Sequence, residues 1–187
     1  FIFVNAGLGI GAGIIINRQP FFGSIGMSAE LGHIPVEAES DIQCFCGGYG
    51  CLNSYASGEG IAEMAKRELQ TGSTSDPLLR LCFGDSSKVT AEMIAVAANG
   101  GDPLAKGVLR RASNYLGMGL ATLINLFNPE AIVIGGRIGR YLFQDIKEAT
   151  LKRGYRQLAE RVKILPATHG SRATTMGALG MVLHEIL

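Results

Sequence analysis

The chain has 187 residues, a formal net charge of +1, and 47% hydrophobic residues, enough for a core in one large domain or one lobe of a two-lobed protein. Its 17 lysines and arginines are scattered rather than gathered into the basic stripe of a nucleic-acid surface, and no apolar run approaches the ~20 residues of a membrane span. Four cysteines are too few for a disulfide scaffold, and three of them fall between positions 44 and 51, which points to a metal site in a reducing, cytoplasmic compartment.

The chain opens on Phe1-Ile2-Phe3-Val4, which reads as a buried strand with no leader before it, and is therefore expected to be a fragment. Residues 1–5 and 10–17 predict two strands joined by the turn Ala6-Gly7-Leu8-Gly9, with a short third strand over Gln19 to Phe22. From Gly23 to Asn53 the chain reads as loop, apart from a short apolar stretch around Ile34 to Val36. A helix is expected from about Ser57, with Ile61, Met64, Ala65 and Leu69 on one face, ending at Gly72. Residues 71–88 read as polar turns. Thr90 suits the cap of a short helix carrying Ile94, Ala97 and Ala98.

Asp102-Pro103 is a stronger start signal, a capping carboxylate followed by proline at the first helical position. Leu104, Val108, Ala112, Leu116, Leu120 and Ile124 then recur every four residues, predicting about six helical turns up to Asn128-Pro129. A buried strand over Ala131 to Ile134 stops at Gly135-Gly136. An amphipathic stretch over 141–158, a strand over Val162 to Leu165 and a closing helix from about Ala173 complete an α/β pattern.

His33, Cys44, Cys46 and Cys51 form H-x10-C-x-C-x4-C. Thiolates with an imidazole satisfy tetrahedral Zn2+ in closed structural sites. The C-x-C pair lets one turn supply two sulfurs, and Gly47, Gly48 and Gly50 let the backbone curl so that Cys51 completes the set. Three inert thiols beside an unrelated histidine are the alternative, but three cysteines in eight residues with glycines between them argue against it. Four protein ligands leave no place for a reactive water, so the zinc is expected to hold the loop 33–53 rather than to catalyse. Cys82 stands apart and reads as a plain thiol.

These features together resemble the ROK family of repressors, open reading frames and sugar kinases. The strings that carry the resemblance are G-I-G-A-G-I-I-I-N (9–17), A-E-L-G-H-I (29–34), C-F-C-G-G-Y-G-C-L (44–52), N-P-E-A-I-V-I-G-G (128–136) and T-M-G-A-L-G (175–180). The resemblance implies an actin-like ATPase (ribonuclease H-like) fold of the sugar kinase and Hsp70 superfamily, with residues 1–187 supplying most of its C-terminal lobe. The D-x-G-x-T and N-D-x-N motifs of the family's N-terminal lobe, the second of which carries the catalytic aspartate, do not occur in these residues. No catalytic residue is therefore assigned. By the family pattern Glu30 and His33 bind sugar hydroxyls, with His33 also on zinc, and Asn53 is a third sugar contact. Gly7, Gly9, Gly11, Gly135 and Gly136 would border the nucleotide site, where a kinase holds ATP and Mg2+.

Three positions depart from the kinase pattern. Leu8 replaces the threonine whose hydroxyl meets the phosphates. Asn53 replaces a carboxylate of the sugar site. Arg137 replaces a glycine beside the nucleotide turn and would crowd it. Two of the three weaken the ATP side, so the sequence favours the sugar-sensing part of a transcriptional regulator similar to the xylose and N-acetylglucosamine repressors. Such a regulator would touch DNA only through an upstream domain outside this chain and would form a homodimer or tetramer. The alternatives are an ATP-dependent kinase of a hexose or N-acylhexosamine, and a zinc-stabilised interaction module with no ligand.

Overall fold

The computed structural model describes residues 1–169 together with 176 and 177, so the closing helix expected from about Ala173 and most of the 175–180 motif lie outside the described residues. Five strands form one mixed sheet in the order β3-β2-β1-β4-β5. They are β1 (Ile2–Ala6), β2 (Ile10–Ile16), β3 (Gln19–Pro20), β4 (Ala131–Gly135) and β5 (Lys163–Pro166). β1 pairs antiparallel with β2 and parallel with β4, and β4 pairs parallel with β5.

The register explains the apolar alternation of these segments. Ile2 lies opposite Ile14 on one side and Ile132 on the other, and Ile132 lies opposite Ile164. All four side chains are buried, so one row of isoleucines crosses four strands. Residues two apart share a face of a strand, and Val4 and Ile134 make the next buried row.

From residue 53 to β4 the chain is mainly helical: α1 (Asn53–Ala56), α2 (Gly58–Gln70), α3 (Asp76–Leu81), α4 (Ala91–Asn99) and α5 (Pro103–Phe127). Thr90 and Asp102 cap their helices as the sequence predicts, and Ser57, where α2 was expected to begin, is its cap. Ser57 accepts from Gly60 N at 3.0 Å, Thr90 from Met93 N at 3.3 Å, and Asp102 from Ala105 N at 2.7 Å. On α5 the stripe Val108, Ala112, Leu116, Leu120 and Ile124 is buried, and the helix ends at Asn128 in the left-handed conformation (φ 44°). Between β4 and β5 come α6 (Arg137–Tyr141), α7 (Phe143–Arg153) and α8 (Arg156–Ala159).

The structure differs from the sequence reading at several points, and the third strand, expected over Gln19 to Phe22, ends at Pro20. Residues 71–88 contain α3, capped by Ser75, whose hydroxyl also donates to Asp102 Oδ2 at 2.9 Å. Only Leu78 of this helix is buried, so no periodicity announces it. The stretch 141–158 is not one helix, because it breaks at Gly154, whose backbone is extended. None of the helices among the described residues is long and apolar enough to cross a membrane.

Candidate metal centre and ligand site

The segment 23–53 folds without regular strands, yet its backbone is tied at several points. Leu52 N donates to Ile34 O at 3.0 Å and Val36 N to Gly50 O at 2.8 Å, which brings Cys51 back beside Pro35. Within it, Cys44 N donates to Gly48 O and Gly47 N to Cys44 O, closing a tight knuckle around Cys44-Phe45-Cys46. Gly50 has φ +68°, and a Cβ there would overlap the Glu37 carbonyl oxygen. A side chain at this position would force the loop open before Cys51 could arrive.

These bonds collect the four residues singled out in the sequence. One ligand atom from each of His33, Cys44, Cys46 and Cys51 lies within 4.8 Å of all the others. His33 Nδ1 is 3.6 Å from Cys44 Sγ, and Cys46 Sγ is 3.7 Å from Cys51 Sγ. Zn–S bonds of about 2.3 Å and Zn–N bonds of about 2.0–2.1 Å at tetrahedral angles require edges of roughly 3.8 Å between sulfurs and roughly 3.6 Å between sulfur and nitrogen. The spacing suits a metal ion, and the cysteines are free thiols rather than disulfides.

The thiols are unequal. The Gly48 amide, assisted by the neighbouring thiols, lowers Cys46 below the ordinary thiol value. Burial, reinforced by Cys46 and Cys44, pushes Cys51 up to about 12. Cys46 and Cys51 therefore resist carrying negative charge together, and a divalent cation between their sulfurs would relieve that repulsion.

Glu30 and His33 flank this cluster on a single 3-10 turn, Leu31–His33, with Glu30 as the residue before it. Ala29 holds φ +61°, a conformation that non-glycine residues seldom adopt, and Glu30 after it is exposed. Glu30 Oε2 stands 3.9 Å from His33 Nε2, too far for a direct hydrogen bond. Phe45, 83% exposed, meets the His33 ring edge-to-face at 4.9 Å.

Asn53 sits at the start of α1 and is 7% exposed. Its Oδ1 accepts from Ile10 N at 2.7 Å, tying the loop to the first residue of β2. Between them runs a cleft of about 370 Å³ bordered by Leu8, Ile42, Phe45, Asn53, Glu59 and Lys66. Phe45, Glu59 and Lys66 were not anticipated, because they meet at this cleft only when the loop folds beside α2.

The glycines assigned to a nucleotide site fall into two groups. Gly7 and Gly9 form the β1–β2 turn, where Gly7 O accepts from Gly58 N at 2.8 Å, and Leu8 projects from it 75% exposed. Gly11 follows within β2. Gly135 and Gly136 end β4, and Gly136 has φ +83° with the Ala6 carbonyl where a Cβ would lie. The turn thus packs directly on β1. Arg137 does not fold back over it, but reaches Glu92 of α4 at 3.1 Å, beside a second cleft of about 400 Å³ lined by Gly136, Ala95 and Tyr141.

Comparison with known proteins agrees with this architecture. The chain is 29% identical over 189 residues to the xylose repressor of Caldicellulosiruptor bescii, covering all of this chain and 46% of the repressor. It is 34% identical over 187 residues to a glucokinase of Halalkalibacterium halodurans, covering 98% of this chain and 56% of the enzyme. The chain thus spans about half the length of the curated relatives it matches. Its structure superposes on a ROK family glucokinase from Streptomyces griseus, crystallised with glucose and AMPPNP, with a TM-score of 0.80 and 32% identity over 92% of this chain and 56% of the enzyme. The fold is accordingly that of the ROK sugar kinases, shared by enzymes and repressors alike. The ROK family model matches residues 1–185, and the chain belongs to the ROK family.

Proposed function

We propose that this chain is the sugar-binding effector region of a cytoplasmic ROK-type transcriptional regulator, with structural Zn2+ on His33, Cys44, Cys46 and Cys51. The observation that carries the choice is Leu8. It stands at the tip of the β1–β2 turn, exposed, where the kinase pattern places a threonine hydroxyl against phosphate. An isobutyl group there offers no hydrogen bond and would have to desolvate a phosphate to sit beside it. Arg137, paired with Glu92 beside the Gly136 turn, adds a cation and an anion at the rim of the adenosine side.

Sugar recognition follows from the geometry around His33. With Nδ1 committed to the metal cluster, the neutral ring carries its proton on Nε2. The 3.9 Å gap from Nε2 to Glu30 then suits a hydroxyl that accepts from the imidazole and donates to the carboxylate. Asn53, which borders the cleft beside Cys44 and Phe45, is the third polar contact of this reading. The zinc supplies no reaction here; it holds the loop whose shape sets the positions of Glu30 and His33. DNA contact belongs to a separate upstream domain, and the assembly is a homodimer or tetramer.

A kinase acting on a hexose or N-acylhexosamine with ATP and Mg2+ is the second reading. It is favoured by the 0.80 TM-score to the glucose- and AMPPNP-bound enzyme. Calorimetry on the full-length protein decides between them. The regulator reading expects sugar binding without Mg-ATP binding or turnover, and sugar-dependent release of an operator duplex. Micromolar Mg-ATP binding with sugar-dependent ADP release would establish the kinase instead.

A further inference from the structure

None of residues 34–43, which link His33 to Cys44, is fully buried, and the stretch is held from outside by two tyrosines. Tyr115, on α5, donates to Glu37 Oε2 at 2.8 Å across 78 positions of sequence. Burial pushes its hydroxyl up to about 12, so at neutral pH the phenol keeps its proton and Glu37 is the acceptor. Tyr55, on α1, donates to Ser40 Oγ, which also accepts from Ile42 N at 3.0 Å. The two phenol rings lie against each other, with centroids 4.5 Å apart.

Both anchored residues close on Gly50. The Glu37 carbonyl oxygen fills the place of the missing Cβ, and Ser40 Cβ would lie 3.3 Å from it. Gly50 N donates to Ile42 O at 3.2 Å, and Gly50 O accepts from Val36 N at 2.8 Å. Segment 36–42 thus grips residue 50 through its backbone on either side. The next residue is Cys51, buried, with its Sγ 3.7 Å from Cys46 Sγ. Tyr115 touches none of the four cluster residues, yet it holds the wall against which one of them is set. Groups that orient metal ligands from behind govern affinity almost as the ligands do.

Resting on the zinc reading above, we infer that Tyr115 and Glu37 are positioning residues of the metal centre: their hydrogen bond holds segment 36–42 against Gly50 and so sets where Cys51 meets the ion. A bond that merely tied the loop to α5 would add to global stability and leave the residence time of the metal unchanged.

The test is zinc release from the loaded full-length protein to an excess of a chromophoric chelator under native conditions, with melting temperature measured alongside. Tyr115→Phe keeps the ring and loses the donor. Glu37→Met keeps the length and loses the acceptor, whereas Glu37→Gln retains an acceptor. The first two are expected to release zinc about tenfold faster than wild type, the low end of the loss seen for groups behind metal ligands. Glu37→Gln should stay within about threefold of wild type. The double variant Tyr115→Phe with Glu37→Met should be no faster than either single, because both remove one bond. Tyr141→Phe is the control, since its hydroxyl is bonded at 2.8 Å to Asn99 Oδ1 of α4 rather than to the loop, and its release rate should match wild type.

Unchanged release in Tyr115→Phe and Glu37→Met overturns the inference, whatever their melting temperatures. So does equal acceleration in Tyr141→Phe, or acceleration that adds in the double variant. Each of these leaves the zinc assignment in place. Wild type that holds no zinc removes both readings together. Should Tyr115→Phe fail to fold, Glu37→Met against Glu37→Gln decides.

Discussion

The Glu30 carboxylate stands 3.9 Å from Nε2 of His33, and Nδ1 of the same ring lies 3.6 Å from Cys44 Sγ. One imidazole thus joins the thiol cluster to an exposed acid. Loosening of the cluster would release the ring that holds Nε2 beside Glu30. On the proposed reading, metal content and sugar recognition are coupled through this ring, and a metal held by the cluster would act on recognition without touching the sugar.

One zinc per chain is expected by elemental analysis. Cys46→Ser removes one of the four ligands and should lower both metal content and melting temperature. Structural zinc supplies on the order of 10–16 kcal/mol in small peptides, and a domain with its own core depends on it for less. Chelation should also abolish sugar affinity, because His33 and Glu30 are held by the loop. Less than half an equivalent of zinc in wild type would remove the metal assignment.

Gly50→Ala should be costly, because the added Cβ meets the Glu37 carbonyl in a backbone conformation of φ +68°. Strain and overlap together are expected to destabilise by at least about 2 kcal/mol, or about 4–8 °C of melting temperature at this chain length. Gly107→Ala is the control. It lies in α5, a Cβ there meets nothing within 4 Å, and helix propensity favours the change by up to ~1 kcal/mol. If the two variants melt together, the steric argument at Gly50 is wrong.

Alkaline stability should depend on Tyr115. Burial, with its hydrogen bond to Glu37 at 2.8 Å, pushes its hydroxyl up to about 12 from an ordinary value of 10.0. The unfolded chain therefore loses this proton first. The stabilisation is complete below pH 10 and is lost as pH rises toward 12. Tyr115→Phe should flatten that part of the stability profile, and chemical denaturation at pH 9 and 11 measures it. A wild-type-like slope in the variant would assign the alkaline loss to other groups.

Nucleotide exclusion is expected to rest on two positions. Leu8→Thr with Arg137→Gly in the full-length protein should gain measurable Mg-ATP binding where wild type shows none. The first change restores a hydroxyl at the turn, and the second frees Glu92 and clears the rim of the Gly136 turn. Calorimetry on both proteins decides the matter. No gain in the double variant would show that these residues are not what keeps ATP out.

The strands, the long helix and its caps were legible because each depends on neighbours in sequence. Asp102-Pro103 and the four-residue spacing through Ile124 specify α5 without reference to anything distant. The grouping of His33 with three cysteines was legible for the same reason, since all lie within residues 33–51. The engagement of Asn53 Oδ1 by Ile10 N was not, because the two meet only when the loop docks on the hairpin. Arg137 was expected to crowd the glycine turn, and its pairing with Glu92, 45 positions earlier, is set by how α4 lies beside α6. Helix α3 was not legible because only Leu78 of it is buried, which leaves no apolar periodicity, although Ser75 caps it locally through Leu78 N.

The central place of β1 in the sheet carries a consequence for how the chain is made. Ile2 needs Ile132 as its parallel neighbour, and that residue leaves the ribosome long after it. Until then, among the described strands, β1 has only β2 to pair with, and its other edge lacks the β4 backbone that covers it in the finished sheet. Loops of this length close slowly. The knuckle over 44–51 needs only nearby residues and can form during that interval, whereas the open edge of β1 is where nascent chains of this protein are most exposed to one another.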